Sequence, residues 1–416
     1  MKRSKLTMLF STIVATCSVL PLALAQVEKL PRMDPSQVRQ LSHANAIRQL
    51  HQGFAKPATR SLGAPTLATW SYSIIAYDGN QYTGQIVGRS PFLRGKITTT
   101  VPVVLIPLKI TISQNGSSFI GDPLGPDPGC LGAGNTAVGL TQQSPLFNPA
   151  NISMGGDTPT PTFVGNTTYP DAHLRASFWS AIGATASSAY HLALSVSTAP
   201  EQSLSFRGPT STAVEYGLGG TQCGTNSSGS NIAATLGVVN INAIDPALRT
   251  IITNLGITED QFPFFVLYYE VMSDGDATNL NNCCILGYHD AEGSPGQTYG
   301  IAEYDTGTVF GGVADITGMS HEVEEWIFDP TGVNLTPPWG NIGQQPNCQN
   351  NLEVGDPLSG TQFPGITMPN SVTYHPQELA YFWWFFTPVS GGVNGVFSNN
   401  GTFLGNAKAC PPGGTN

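Results

Sequence analysis

The sequence predicts an α+β fold, in which a β-rich N-terminal part is followed by a mixed sheet packed on a single helix. Three observations support this prediction: the composition, a series of β-branched and aromatic runs bounded by glycine and proline, and one helical stretch at residues 315–330. Charged residues make up 11% of the 416 residues, against about 25% in an average soluble protein. Because 40% of the residues are still hydrophobic, the composition is typical of a folded, turn-rich protein.

Residues 1–25 have the pattern of a secretory signal peptide. Lys2, Arg3 and Lys5 give a positive start, a long apolar run follows, and an Ala-Leu-Ala motif ends at Ala25, where we expect cleavage. An uncleaved membrane anchor is the alternative interpretation. The sequence therefore predicts a secreted or periplasmic protein, since no later stretch reaches the length of a membrane span.

Export would place the cysteines in an oxidising compartment. Cys17 leaves with the signal peptide, and none of the others has the C-x-x-C spacing of a structural zinc site. An even number of cysteines remains, which allows up to three disulfides in any of fifteen pairings. The candidates are Cys130, Cys223, Cys283, Cys284, Cys348 and Cys410.

The net charge excludes two classes of partner. It is −10 for the whole chain, and loss of the three signal-peptide cations makes it −13. A chain this acidic repels phosphate backbones and anionic lipid surfaces. We therefore expect no nucleic-acid partner and no membrane-surface role, whereas a peptide or protein substrate is compatible with the charge.

Residues 26–65 are predicted to form a separate helical arm. Asp34-Pro35 is typical of a helix start, and apolar residues recur at three-residue spacing up to Gly53. Such an arm could be a pro-segment that covers an active site. It could equally be a helix that packs on the surface.

Residues 66–242 are assigned to the β-rich part. Leu67–Ala76 and Val101–Ile112 are rich in branched and aromatic residues, as expected of strands. Pro102 and Pro107 predict that the second strand lies at a sheet edge or contains a bulge.

The rest of the chain is predicted as loops, two helices and a second sheet. Residues 113–168 are rich in glycine, proline and asparagine and predict irregular loops, whereas residues 171–183 and 245–256 predict helices, the second capped by Asp245. Residues 243–416 form the second part. Three closely spaced strands precede its main helix: Phe264–Met272, Cys284–His289 and Thr298–Tyr304.

That helix carries an H-E-x-x-E motif at residues 321–325, with Asp329 four residues further on. Residues four apart lie one turn above each other, so His321, Glu325 and Asp329 form a column of metal-ligand types, with Glu322 beside it. Metallopeptidase helices use this layout, with two ligands at i and i+4 and a carboxylate that takes a proton from water. The pattern therefore predicts a zincin-like part. Zincins usually have histidine in place of Glu325, and an ordinary amphipathic helix is the alternative.

A helix pair leaves a metal ion half coordinated, so a further ligand must come from elsewhere. Glu353 and Asp356, in a Leu-Glu-Val-Gly-Asp-Pro segment, are the candidates. A polar surface loop is the alternative interpretation of that segment. Asp329 is expected to orient a ligand or to cap the helix end, because Pro330 follows it.

Four features occur in order between residues 264 and 356: an aromatic-aliphatic strand, a cysteine-bearing Gly-x-His turn ending at His289, the Ser-His-Glu-x-x-Glu helix ending in Asp-Pro, and Glu353 with Asp356. In these features the stretch resembles the phosphate-induced protein 1 (exordium-like) family. It is also similar to secreted bacterial proteins with an H-E-x-A-E helix followed by Asp-Pro. The resemblance implies that His289 lies in or beside the metal shell, where a structural histidine would otherwise be expected.

The resulting hypothesis is a secreted, zincin-like metallopeptidase that binds Zn²⁺ or another divalent ion. His321, Glu325 and Glu353 would hold the ion, and Asp356 competes with Glu353 as the third ligand. Glu322 would act as the general base.

Two residues, Tyr288 and Tyr304, are candidates to stabilise an oxyanion. One alternative hypothesis is a non-catalytic protein that keeps the zincin-like scaffold and uses the metal or the disulfides for stability. Another is a cell-surface or glycan-binding protein that presents exposed tryptophans, with core packing as the simpler interpretation of Trp339, Trp383 and Trp384.

Overall fold

The computed structural model describes residues 30–33, 66–93, 97–156, 160–218, 235–293, 296–306, 310–407 and 410. The predicted signal peptide, the predicted arm apart from residues 30–33, and Cys223 lie outside these residues. The helices are α1 (Ala137–Gln143), α2 (Tyr169–Ser177), α3 (Ile241–Asn254), α4 (Thr317–Phe328) and α5 (Phe382–Phe386).

The strands contain more residues than the helices and begin in the N-terminal part, so the mixed, β-rich character of the prediction is confirmed. They are β1 (Thr69–Ile75), β2 (Gln81–Val87), β3 (Ile97–Gln114), β4 (Ser117–Gly121), β5 (Ala150–Met154), β6 (Thr162–Thr167), β7 (Tyr190–Thr198), β8 (Gln202–Gly208), β9 (Ala213–Gly217), β10 (Thr235–Asn240), β11 (Phe262–Tyr268), β12 (Glu270–Ser273), β13 (Cys283–Ile285), β14 (Gly287–Gly293), β15 (Gly296–Tyr304), β16 (Leu335–Ile342), β17 (Gln345–Asn351), β18 (Ile366–Thr367) and β19 (Thr373–Tyr374).

The main sheet has seven strands, with the path β14-β15-β11-β3-β4 and with β7 and β8 also paired to β3. β3 has neighbours on both sides: parallel β7 and then β8 on one, parallel β11 and then antiparallel β4 on the other. Every residue of β11 is buried. Strands covered on both faces read as continuous apolar runs, which explains the lack of alternation in β11.

Of the two alternatives predicted from Pro102 and Pro107, an edge position or a bulge, the edge position is wrong, because β3 lies in the middle of the main sheet. The prolines fit because β3 changes partners along its length. Pairing with β11 covers residues 103–107 and pairing with β4 begins at Ile110, so each proline lies at or just outside one end of the β11 ladder. The missing N–H therefore removes little from the β11 ladder, although Pro102 lies inside the β7 ladder on the other side, opposite Ser195.

A second sheet has the order β13-β12-β10-β9, with β10 parallel to β12 and antiparallel to β9. β9 and β10 come from the predicted β-rich part, whereas β12 and β13 come from the second part. The main sheet likewise pairs β3 with β11. Strands from both predicted parts therefore share both sheets.

Three predictions of local structure are corrected. Residues 113–168 contain α1, the β5–β6 hairpin and a strand, rather than loops alone. α2 ends at Ser177, earlier than predicted. α3 begins four residues earlier than expected, and its cap is Asn240, whose side chain accepts from the Asn242 amide at 2.9 Å; the predicted cap, Asp245, is buried and paired with Arg249 inside the helix.

α4 packs on β14 and β15 of the main sheet. Trp326 of α4 stacks on Phe262 of β11, with ring centroids 3.8 Å apart. The Trp326 indole N–H also donates to the Thr298 hydroxyl at 3.1 Å, which satisfies its buried polar atom. These contacts fix the height and rotation of the helix that carries the H-E-x-x-E motif.

Two disulfides lie within the described residues, where the cysteine count allowed up to three. Cys283 and Cys284 are bonded to each other, and Cys348 is bonded to Cys410, 62 residues later. Cys130 is disulfide-bonded as well. Disulfides are typical of oxidising compartments. Within the described segments, no helix is both long and apolar enough to span a bilayer.

Candidate metal centre

α4 carries the predicted site and is buried along its whole length. Its apolar residues pack into the main core, while its acidic residues and His321 face other buried polar groups. The helix ends before Pro330, and the Asp329 carboxylate accepts from the backbone amides of Val333 and Asn334 at 2.9–3.1 Å. Asp329 thus terminates the helix, which is one of its two predicted roles.

Three ligand-type atoms converge on one side of α4. His321 Nε2 lies 3.0 Å from Glu325 Oε2 and 3.5 Å from Asp356 Oδ1. Ligands of a single zinc ion at about 2.0–2.2 Å are separated by distances in this range. His321, Glu325 and Asp356 therefore form a group that could hold a metal ion, and we call it the first triad.

Each member of the first triad has its orientation fixed by a neighbour. Glu325 Oε1 accepts from the Gly355 and Asp356 amides at 3.0 and 3.1 Å, which leaves Oε2 facing His321. His321 Nδ1 lies 3.0 Å from the Gln377 Oε1 atom, and the Gln377 amide nitrogen donates to the Gly355 carbonyl at 2.7 Å. Because that amide group is oriented by the carbonyl, His321 donates from Nδ1 and keeps the Nε2 lone pair for a metal.

The Asp356 carboxylate is held by three glutamine side chains. Gln345 and Gln349 donate to Oδ2 at 2.7 Å each, and Gln344 donates to Oδ1. These amides position Asp356 without neutralising its charge, so the negative charge needed to bind a cation remains. Sequence reasoning did not single out any of the four glutamines in this network, because a glutamine carries no ligand signal of its own.

A second group lies beside the first. His289, Glu325 and Glu353 each offer one ligand atom within 4.8 Å of the others, and we call this group the second triad. His289 Nδ1 is 3.9 Å from Glu325 Oε2 and 3.4 Å from Glu322 Oε2, and His289 Nε2 is 3.0 Å from the Asp329 carbonyl oxygen. The structure thus brings all the sequence-derived ligand candidates together, but it places Asp356 with His321 and Glu353 with His289.

Burial makes this cluster a poor environment for uncompensated charge. No side chain of either triad, nor Glu322, is more than 3% exposed. Burial raises the pKa of Glu353 well above its usual value, and neighbouring carboxylates raise it further. Burial also raises the pKa of Asp329 to about 7. Burial alone would lower the pKa of His321, but Glu325 and Asp356 beside it raise that pKa well above the ordinary value.

The Glu353 carboxylate provides a direct test of whether a cation fits. Its Oε2 atom is buried and has no hydrogen-bond partner in the described part of the chain. A buried polar atom left without a partner costs about 1–3 kcal/mol, and more when it is charged. A divalent cation beside Glu353 would remove this cost, so the residues present fit a metal ion.

Glu324 of the same helix points away from both triads. It lies 2.9 Å from His173 Nδ1 of α2, and His173 Nε2 faces the Ala380 carbonyl oxygen at 3.2 Å. Burial lowers the pKa of His173 to about 3, so this imidazole is neutral. His173 and Glu324 are therefore a buried hydrogen-bonded pair at the α2–α4 contact.

The remaining predicted site residues lie elsewhere. Tyr288 donates to Asp245 at 2.9 Å on the opposite face of β14 from His289, and Tyr304 is buried in the main core. Core packing, the simpler interpretation of the tryptophans, holds for Trp339 and Trp384, which are 0% and 5% exposed and pack edge to face with ring centroids 5.5 Å apart; Trp383 is partly buried. This removes the observation that suggested glycan binding.

A scan against protein-family models finds no match to this chain. Searches of curated proteins and of solved structures find no match either. Any statement about function therefore depends on the geometry described above.

Proposed function

We propose that this chain is an exported, zinc-dependent hydrolase of the metallopeptidase type, with His321, Glu325 and Asp356 as ligands. The observation that carries the proposal is the convergence of the three ligand atoms. Each is on a side chain oriented by a hydrogen bond: His321 donates to Gln377, whereas Glu325 and Asp356 accept from their neighbours. One histidine and two carboxylates can bind zinc, although manganese or iron would also accept them. The leader-like residues 1–25 and the disulfides support export.

The residues around the ion would divide the chemistry. A bound zinc ion would act as a Lewis acid toward the substrate and the attacking water. Glu322 follows the first ligand directly and would take the proton from that water. His289 Nδ1 lies 3.4 Å from Glu322 Oε2, beside the assigned base. Asp329 would keep His289 oriented through its carbonyl oxygen.

The test measures zinc content and peptide hydrolysis in the same preparations. For the wild type we expect at least one zinc ion per chain and hydrolysis of casein or of a peptide library. The Glu322→Gln variant should retain zinc but lose hydrolysis. Glu324→Gln is the matched control, because it makes the same change on the same helix at a side chain that faces His173. It should keep both the zinc content and the hydrolysis of the wild type. Hydrolysis that persists in Glu322→Gln would contradict the assigned base, and wild-type protein without metal would contradict the whole proposal.

A second function is favoured by one observation, the burial of every group in the centre. With no side chain more than 3% exposed, a peptide cannot reach the ion unless the surrounding segments open. The alternative is therefore a non-catalytic protein whose metal ion stabilises the fold. It predicts that chelation lowers the melting temperature while no substrate is hydrolysed by any form of the protein.

A further inference from the structure

We propose that the centre holds two divalent cations, the first in the triad of His321, Glu325 and Asp356 and the second in the triad of His289, Glu325 and Glu353. Glu325 would bridge them. This inference rests on the proposed function for the first ion and adds a second site to it.

The geometry separates the two triads. Within each, the ligand atoms all lie within 4.8 Å of one another, but among the described residues the two sets do not merge into one group at that distance. Ligands bound to a single ion at about 2.0–2.2 Å can be at most about 4.4 Å apart. One ion therefore cannot use both triads at once, and a single ion in the first triad leaves His289 and Glu353 without a metal.

Glu325 is arranged to serve both sides. Its Oε1 atom accepts two backbone N–H groups, from Gly355 and Asp356, and is thereby fixed. Its Oε2 atom lies 3.0 Å from His321 Nε2 and 3.9 Å from His289 Nδ1, between the two imidazoles. Paired metal sites commonly place two ions about 3.5–4 Å apart with a shared ligand between them.

The unpartnered oxygen of Glu353 is an independent sign of a ligand. Glu353 is 2% exposed, and its Oε2 atom has no hydrogen-bond partner in the described segments. Neither Glu353 nor Asp356 forms an ion pair with lysine or arginine in the described part of the chain, whereas a cation in the second triad would give Glu353 a partner.

The charge of the centre also agrees with two ions. Five buried carboxylates lie around the two imidazoles. Each triad has a carboxylate of its own, Asp356 in the first and Glu353 in the second, in addition to the shared Glu325. A second cation would therefore have an anionic ligand that the first cation does not use. The carboxylates are Glu322, Glu325, Asp329, Glu353 and Asp356.

The test is a titration of metal-depleted full-length protein with Mn²⁺, read by elemental analysis and electron paramagnetic resonance. We expect two ions per wild-type chain at saturation, with a spectrum broadened by coupling between neighbouring ions. Glu353→Gln should drop to one ion with the signal of an isolated Mn²⁺. His289→Gln should do the same, and serves as the second variant where Glu353→Gln does not fold. Glu324→Gln should bind two ions.

Two outcomes would overturn the inference while leaving the proposed function intact. One is that the wild type saturates at one ion per chain. The other is that Glu353→Gln and His289→Gln both still bind two coupled ions. If instead the wild type binds one ion that depends on Glu353 but not on Asp356, the assignment of ligands to the triads is wrong. Failure of the proposed function has a different signature, which is a wild-type protein that binds no ion.

Discussion

Replacing Gly355 with alanine should disturb the first triad without removing any ligand. A Cβ atom at this position would lie 2.6 Å from His321 Nδ1 and 2.7 Å from Cγ. The backbone of Gly355, with φ −86° and ψ −39°, accepts any residue, so the substitution causes no backbone strain. Its amide would still donate to Glu325. The effect of Gly355→Ala is therefore confined to the imidazole.

The size of the effect follows from these distances. Carbon atoms pack at about 3.5 Å, so the imidazole would have to move by about 0.8 Å. Metal–ligand distances tolerate only about 0.2 Å. Crowding of this kind costs about 1–3 kcal/mol in a packed interior, and displaced ligands lower metal affinity by about 10–100-fold. We expect both effects in Gly355→Ala.

The assay is zinc affinity by competition with a chromogenic chelator, together with urea unfolding of the metal-free and zinc-loaded protein. Gly318→Ala is the control, because it lies in α4 with its nearest neighbour, Leu286 Cβ, 3.9 Å from the added methyl group. Alanine there should leave zinc affinity unchanged and, because Gly318 is only the second residue of α4, should stabilise the helix by less than the ~0.5–1 kcal/mol of a helix interior. Wild-type zinc affinity in Gly355→Ala would refute the argument that this glycine keeps space for a metal-binding His321.

Three further predictions concern stability away from the centre. Burial raises the pKa of Glu270 well above its usual value, and neither carboxylate oxygen has a hydrogen-bond partner in the described residues. The folded state therefore favours the protonated carboxyl group. Its contribution to the free energy of unfolding is complete below about pH 4.3, the pKa in the unfolded chain, and is lost as the pH rises through the pKa in the folded protein. Glu270→Gln should therefore gain stability over wild type between pH 4 and pH 8 in urea unfolding, and parallel pH profiles would contradict this. The buried Arg175 guanidinium donates to five backbone carbonyls. Because lysine has only three donors, Arg175→Lys should lower the free energy of unfolding by about 3 kcal/mol in urea unfolding. A loss below about 1 kcal/mol would contradict this. The Cys348–Cys410 disulfide joins residues 62 apart in sequence and so restricts the unfolded chain. Replacing both cysteines with serine should lower stability by about 4 kcal/mol, measured against the wild type in thermal melts. An unchanged melting temperature would mean that the stability of the folded state does not depend on this disulfide.

Local patterns in the sequence predicted the elements whose formation depends on neighbours along the chain. The H-E-x-x-E spacing placed His321 and Glu325 on one face of a helix because the α-helical period requires it, and α4 has that form. The apolar run of β11 indicated a strand in the same way. Pro102 misled the prediction, because it lies in a central strand, inside the β7 ladder and just before the β11 ladder begins.

The sequence by itself therefore determined that a histidine–carboxylate pair lies on one helix face, that acidic candidates follow it about thirty residues later, and that six cysteines after the predicted signal peptide allow up to three disulfides. Only the tertiary structure decided that Asp356 faces His321 while Glu353 faces His289, that Gln377 orients the imidazole, and that the whole centre is buried. The physical reason is the separation along the chain between the residues that come into contact. Helix geometry fixes contacts between residues four apart, whereas the meeting of β14, α4 and the segment after β17 depends on how the sheets and their connections pack, and no local periodicity carries that information.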